Sequence, residues 1–188
     1  MTMTVKSLIL LLLGGVLMNN YALQRFLGVT PFLGYAKEES RIAGMGLAVT
    51  AVMLLTAAVT WPLQTFVLAK LGLAYLQTLV FVAVILALVY LVDALAKLLA
   101  HKSLGGYFPL IALNSAVLGL AVNNVSEGYP FVEALVSALG VGLGFLLAMF
   151  VFSGVQSRIN EKYVPKAFRG LPVRLLAASL ISLALFAF

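Results

Sequence analysis

Six apolar runs, at about 5–25, 43–68, 72–95, 104–123, 130–154 and 170–188, take up most of this chain. About 20 apolar residues in a helix cross the hydrocarbon core of a bilayer. The remaining composition allows no other solvent: 63% of the 188 residues are hydrophobic and 10% charged, against about 25% charged in a soluble domain. In lipid every backbone N–H and C=O needs an internal partner, which leaves helices as the spanning element for runs of this length. The expectation is an all-α integral membrane protein with six transmembrane helices, forming a single transmembrane domain over residues 1–188. The longest polar stretch, about Gln156 to Pro172, is too short to bury a core of its own. The first run follows only Lys6 and precedes no small-residue cleavage site, so it reads as a retained helix rather than a signal peptide.

Basic residues alternate between the two sides of the membrane. The first, third and fifth loops carry Lys37 and Arg41, then Lys97 and Lys102, then Arg158, Lys162, Lys166 and Arg169, with Arg174 at the edge. The opposite side has Lys6 and Lys70, and Arg25 lies in between. Excess Lys and Arg marks the cytoplasmic side, so both termini are expected outside. The net charge of +6 therefore reports orientation, and no nucleic-acid partner is expected. The sixth run is charge-free only from Leu175, so Arg174 has to snorkel to the interface. The fifth loop, SRINEKYVPKAFRGLPVR, follows the same charge bias and also suits an anionic partner or lipid headgroups.

The two halves resemble each other. GMGLAVTAVM from Gly44 and GVGLGFLLAM from Gly140 align at an offset of 96, and NYAL from Asn20 aligns with NSAV at an offset of 94. Three spans separate the copies, so the second enters the membrane from the opposite side. This pattern predicts two inverted three-helix repeats, about 1–95 and 96–188, with the working site near the midplane.

Polar and helix-breaking residues fall at corresponding places in the two halves. LMNNYALQRFLGVTPFLG puts Asn19, Asn20, Arg25, Gly28, Pro31 and Gly34 in the first run. FPLIALNSAVLGLAVNN puts Pro109, Asn114, Gly119, Asn123 and Asn124 in the fourth. Helices 1 and 4 are therefore expected to be broken within the membrane. Asn19, Asn20 and Asn114 are expected to face protein, a partner or water; Asn123 and Asn124 suit helix capping equally well. Asp93, a carboxylate inside the third span, lies four residues before Lys97, as a structural pair or an ion-path group. These amides and Asp93 are the candidates for an ion path or polar lining. Gly44, Gly46, Gly140, Gly142 and Gly144 permit close helix approach. Trp61 and Tyr75 suit an interfacial belt, and His101 a solvated loop. Phosphate loops, catalytic triads and histidine clusters do not occur, so no catalytic residue is expected. The chain has no cysteine, which excludes disulfides and iron–sulfur ligation by this chain alone.

NNYALQRFLGVTPFLG, GMGLAVT, FPLIALNSAVLG and PKAFRG resemble the A subunit of the Rnf electron-transport complex. They are also similar to its homologue, the E subunit of the sodium-pumping NADH:quinone oxidoreductase. The resemblance runs from about residue 7 to about 185. It implies six helices in two inverted halves, and a homologous partner subunit of opposite topology resembling the Rnf E or quinone-reductase D subunit. It further implies other Rnf or Nqr subunits and residence in a bacterial or archaeal cytoplasmic membrane. The resemblance implies as well a [2Fe–2S] cluster held by the pair, and electron transfer coupled to Na⁺ or H⁺ movement. The family's two cysteine positions fall on Thr30 and Ser115, which are hard hydroxyl donors where soft thiolates are needed. Three explanations stay open: a natural chain without the cluster, a replacement of cysteines, or a cluster held by the partner's thiolates. The alternative functions are a stand-alone inverted-repeat transporter of cations or small solutes, and a cluster-free scaffold subunit.

Overall fold

The apolar runs form helices, and no strand occurs among the described residues, which in this computed structural model are 5–30, 39–100 and 108–186. The first helix, α1 (Val5–Leu13), widens into a π-helical stretch, Gly14–Met18, and stops at Asn19. It is thus shorter than the expected run to residue 25, because paired amides interrupt the apolar pattern there. Next, α2 (Glu39–Pro62) continues as a second π-helical stretch, Leu63–Leu68. Pro62 lacks the N–H that would continue the ordinary ladder, and the wider turn follows at once.

The remaining helices are α3 (Gln77–Ala100), α4 (Phe108–Ala112), α5 (Ser115–Ser126), α6 (Phe131–Arg158) and α7 (Leu171–Phe186). By length and composition four segments suffice to cross a membrane: Ile42–Leu68, Ala74–Leu98, Pro109–Ser126 and Phe131–Arg158. The apolar helices Val5–Met18 and Leu171–Ala184 are shorter. Pro31, Gly34, Lys37, His101 and Lys102 lie outside the described residues.

Several hydroxyls in the helices bond back to their own backbone, which suits an apolar solvent, whereas Thr56 Oγ1 is buried with no partner among the described residues. Thr50 Oγ1 donates to the Gly46 carbonyl at 2.8 Å and Thr60 Oγ1 to that of Thr56 at 2.7 Å.

The core sits where α2 crosses α6. Met45, Val49 and Met53 are buried with Ala138, Phe145 and Met149. Glycines permit the crossing: a methyl group on Gly142 would lie 2.6 Å from Thr50 Cγ2, and one on Gly46 3.0 Å from Leu146 Cγ. These contacts are reciprocal. Gly46 and Gly142 are equivalent at the offset of 96, and so are Thr50 and Leu146. Each glycine therefore meets the residue four places beyond its counterpart, as across a two-fold interface.

The other side of α6 receives α1. A methyl on Gly140 would lie 2.8 Å from the Leu12 carbonyl oxygen, and one on Gly144 2.7 Å from that of Gly15. Gly140 and Gly144 form a small-xxx-small seam against the first helix. Gly44 differs from the other four glycines: no described atom comes within 4 Å of the place a methyl would take.

Trp61 Nε1 donates to the Tyr129 carbonyl at 2.8 Å and its ring meets Phe131 edge-on, tying the end of α2 to the α5–α6 loop. Tyr75 is exposed. On α3, Lys97 Nζ lies 2.6 Å from Asp93 Oδ2, the i,i+4 pair that the sequence spacing allows.

Candidate functional site

Two helix interruptions meet at the centre of the chain. The first begins at Asn20, whose side chain is 1% exposed. Its Oδ1 accepts from the Ala22 and Leu23 N–H groups at 3.1 and 3.2 Å. Its Nδ2 donates to the Gly144 carbonyl at 2.7 Å and the Val16 carbonyl at 3.1 Å. One amide thus satisfies backbone groups on both sides of the break and fastens it to α6. Leu27 N–H then donates to the Tyr21 carbonyl at 2.8 Å, closing a local ring. The Ser182 hydroxyl of α7 donates to the Leu23 carbonyl.

The second interruption is shorter. Leu113 and Asn114 separate α4 from α5, and Asn114 is extended at φ −75° and ψ 111°. Its Oδ1 accepts from the Ala116 N–H at 2.9 Å, capping α5. Asn20 and Asn114 are equivalent at the offset of 94, and each receives the N–H two residues on.

Gly28 joins the breaks. Its N–H donates to Ser115 Oγ at 2.8 Å. Its φ of +71° suits glycine, and a methyl there would lie 2.5 Å from Asn114 Oδ1. Thr30, two residues on, and Ser115 are both exposed, so the two positions where the resemblance expects cysteine lie at the surface.

These residues do not fit this chain's half of an iron–sulfur cluster. Both donors are hydroxyl oxygens, and one already accepts the Gly28 N–H. Ser115 has a structural task instead. Ser115→Ala is expected to lower stability by about 1 kcal/mol by stranding that N–H, read as a lower unfolding midpoint in detergent.

Beside the first break lies a polar pocket of about 200 Å³. Asn19, Tyr21, Arg25, Asn123, Glu127 and Ser137 are among its lining residues. Arg25 Nη1 donates to Asn123 Oδ1 at 3.1 Å, and its guanidinium lies 4.8 Å from the centre of the Tyr21 ring. Tyr129, in the α5–α6 loop, also lines the pocket; burial and the neighbouring Glu127 push its phenol pKa up, so it stays protonated at neutral pH. Arg25 and Glu127 give the pocket both signs of charge.

The candidate residues thus separate by position. Asn19 lines the pocket, while Asn20 and Asn114 hold the breaks together. Asn114 Nδ2 is buried with no partner among the described residues. Asp93 does not line the pocket and pairs with Lys97. Sequence reasoning did not find Ser137 or the Arg25–Asn123 bond. The first is one hydroxyl in an apolar run; the second joins residues 98 positions apart.

Residues 8–188 match the family model described as "Rnf-Nqr subunit, membrane protein". The chain belongs to the Rnf-Nqr family. It is 46% identical to the A subunit of the ion-translocating oxidoreductase complex of Syntrophotalea carbinolica, over 97% of this chain and 96% of that one. It is 42% identical to the A subunit of the Na(+)-translocating ferredoxin:NAD(+) oxidoreductase complex of Acetobacterium woodii, with the same coverage of both chains. The corresponding A subunit from an Azoarcus species is 42% identical over 96% of this chain and 95% of its own length.

Proposed function

We propose that this chain is a membrane subunit of an Rnf-type complex that couples transmembrane electron transfer to Na⁺ or H⁺ movement. Its near end-to-end similarity to the A subunits of such complexes carries this reading. The chain supplies the membrane frame, with two interruptions latched at Gly28 and Ser115. Thr30 and Ser115 form the surface on which a homologous subunit of opposite topology seats. The reading assigns no redox group to this chain, because its donors at those positions are hydroxyls.

The reciprocal Gly46–Leu146 and Gly142–Thr50 contacts support two inverted three-helix halves, since a local two-fold relation produces such pairs. The alternation of basic loops supports both termini outside a bacterial or archaeal cytoplasmic membrane. Asn19, Arg25 and Glu127 line the polar pocket beside the first break.

Affinity purification of the tagged chain in mild detergent tests the assignment. Flavin-linked, iron–sulfur and homologous membrane subunits are expected to copurify. Deleting the chain should abolish ferredoxin-driven cation uptake by inverted membrane vesicles. A chain that purifies alone or as a homodimer, with uptake intact after its deletion, would instead indicate the stand-alone transporter.

A further inference from the structure

Two hollows adjoin at the basic end of the helices, where α6 ends and α7 begins. One, of about 590 Å³, is lined by Gln156, Ser157, Arg158, Asn160 and Arg174 together with Ile159 and Val173. The other, of about 550 Å³, runs along apolar side chains that include Val155, Leu176, Leu180 and Ala184. Ile159 and Val173 line both, so the hollows form one trough with a charged head and an apolar tail.

The head is built for an anion. Arg158 lies in the last turn of α6 and Arg174 in the first turn of α7, near the positive end of that 16-residue helix dipole. Among the described residues no carboxylate lines this hollow. Gln156 also lines the hollow; its amide N and O are themselves buried with no partner among the described residues, so a turn of this side chain toward a ligand in the hollow would satisfy them. The tail differs in chemistry. Leu176 and Leu180 are 49% and 66% exposed and offer nothing to hydrogen-bond.

We propose that this trough binds one anionic phospholipid, its phosphate held between Arg158 and Arg174 and an acyl chain laid along Leu176 and Leu180. The phosphate accepts from both guanidiniums and from the Gln156 amide N–H, while a headgroup hydroxyl donates to the Gln156 oxygen. A polar head joined to an apolar tail matches a lipid better than a free anion, which would leave the tail unused. The lipid would lie between the ends of α6 and α7 and fix their separation.

Native mass spectrometry of the detergent-purified complex tests this with added dioleoyl phosphatidylglycerol, dioleoyl phosphatidylcholine and inorganic phosphate as probes. One phosphatidylglycerol per chain is expected to persist where phosphatidylcholine is lost. The double variant Arg158→Gln, Arg174→Gln should weaken its binding about twenty-five-fold, from two cations worth roughly a factor of five each. Leu180→Trp, at an exposed position, should displace the lipid while leaving both arginines in place. Equal retention of the two lipids, or indifference to both variants, would overturn the proposal. So would full displacement by millimolar phosphate, which marks a free-anion site, or crosslinking of residue 180 to another subunit, which marks a protein interface.

Discussion

Replacing Asn20 by leucine is expected to lower the unfolding midpoint of the purified protein by about 10 °C. The change removes four hydrogen bonds: from the Ala22 and Leu23 N–H groups, and to the Gly144 and Val16 carbonyls. At 1% exposure no bulk water is at hand to replace them. Each buried group left unpaired costs about 1–3 kcal/mol, so a total of about 4 kcal/mol is a conservative sum. Aspartate, though of the same shape, should not rescue. It removes the donor and sets negative oxygen against two carbonyls. The exposed neighbour supplies the control, since Asn19→Ala should shift the midpoint by no more than about one or two degrees. A leucine variant at residue 20 that melts with the parent would show that the amide does not hold the break.

The second large effect concerns Gly144. Any side chain there enters the space of the π-helical stretch that continues α1: a methyl would lie 2.7 Å from the Gly15 carbonyl oxygen and 3.2 Å from Val16 Cα. Both neighbours are backbone, so neither can turn aside. Overpacking a core commonly costs about 1–3 kcal/mol, and Gly144→Val should exceed that range by driving the two helices apart. The Asn20 bond to the Gly144 carbonyl would be lost with it. Gly154, on the same helix, has nothing within 4 Å of where a methyl would sit, and alanine there should be neutral or stabilising by up to about 1 kcal/mol. Thermal unfolding of both variants in one detergent is the measurement. Equal midpoints would remove Gly144 from the helix seam.

The difference between these two glycines shows what the sequence could and could not carry. Length and hydropathy made the helices legible, because spanning a bilayer demands long apolar runs. The paired asparagines and the glycines and proline after them made an interruption of the first run legible, because lipid offers an amide no partner, but the run was expected to reach residue 25 and stops at Asn19. Which asparagine does what was not legible. Asn19 and Asn20 are adjacent and identical, yet one lines a pocket and the other fastens the break to Gly144, 124 residues away. The offset of 96 marked Gly46 and Gly142 as equivalent, but their crossed contacts with Leu146 and Thr50 depend on a helix crossing that no local pattern encodes. Likewise, Ser115 stood out as a hydroxyl at a family cysteine position. Its bond to the Gly28 N–H needs two distant breaks to meet.

The closed ring from Tyr21 to Leu27 bears on how the chain is made. Its backbone finds partners in the ring itself, in Asn20, which is fastened to α6, and in Ser182 of α7 in the same polypeptide. During biogenesis the segment can therefore shed its hydration as soon as the later helices leave the insertion machinery, before the rest of the complex assembles around it.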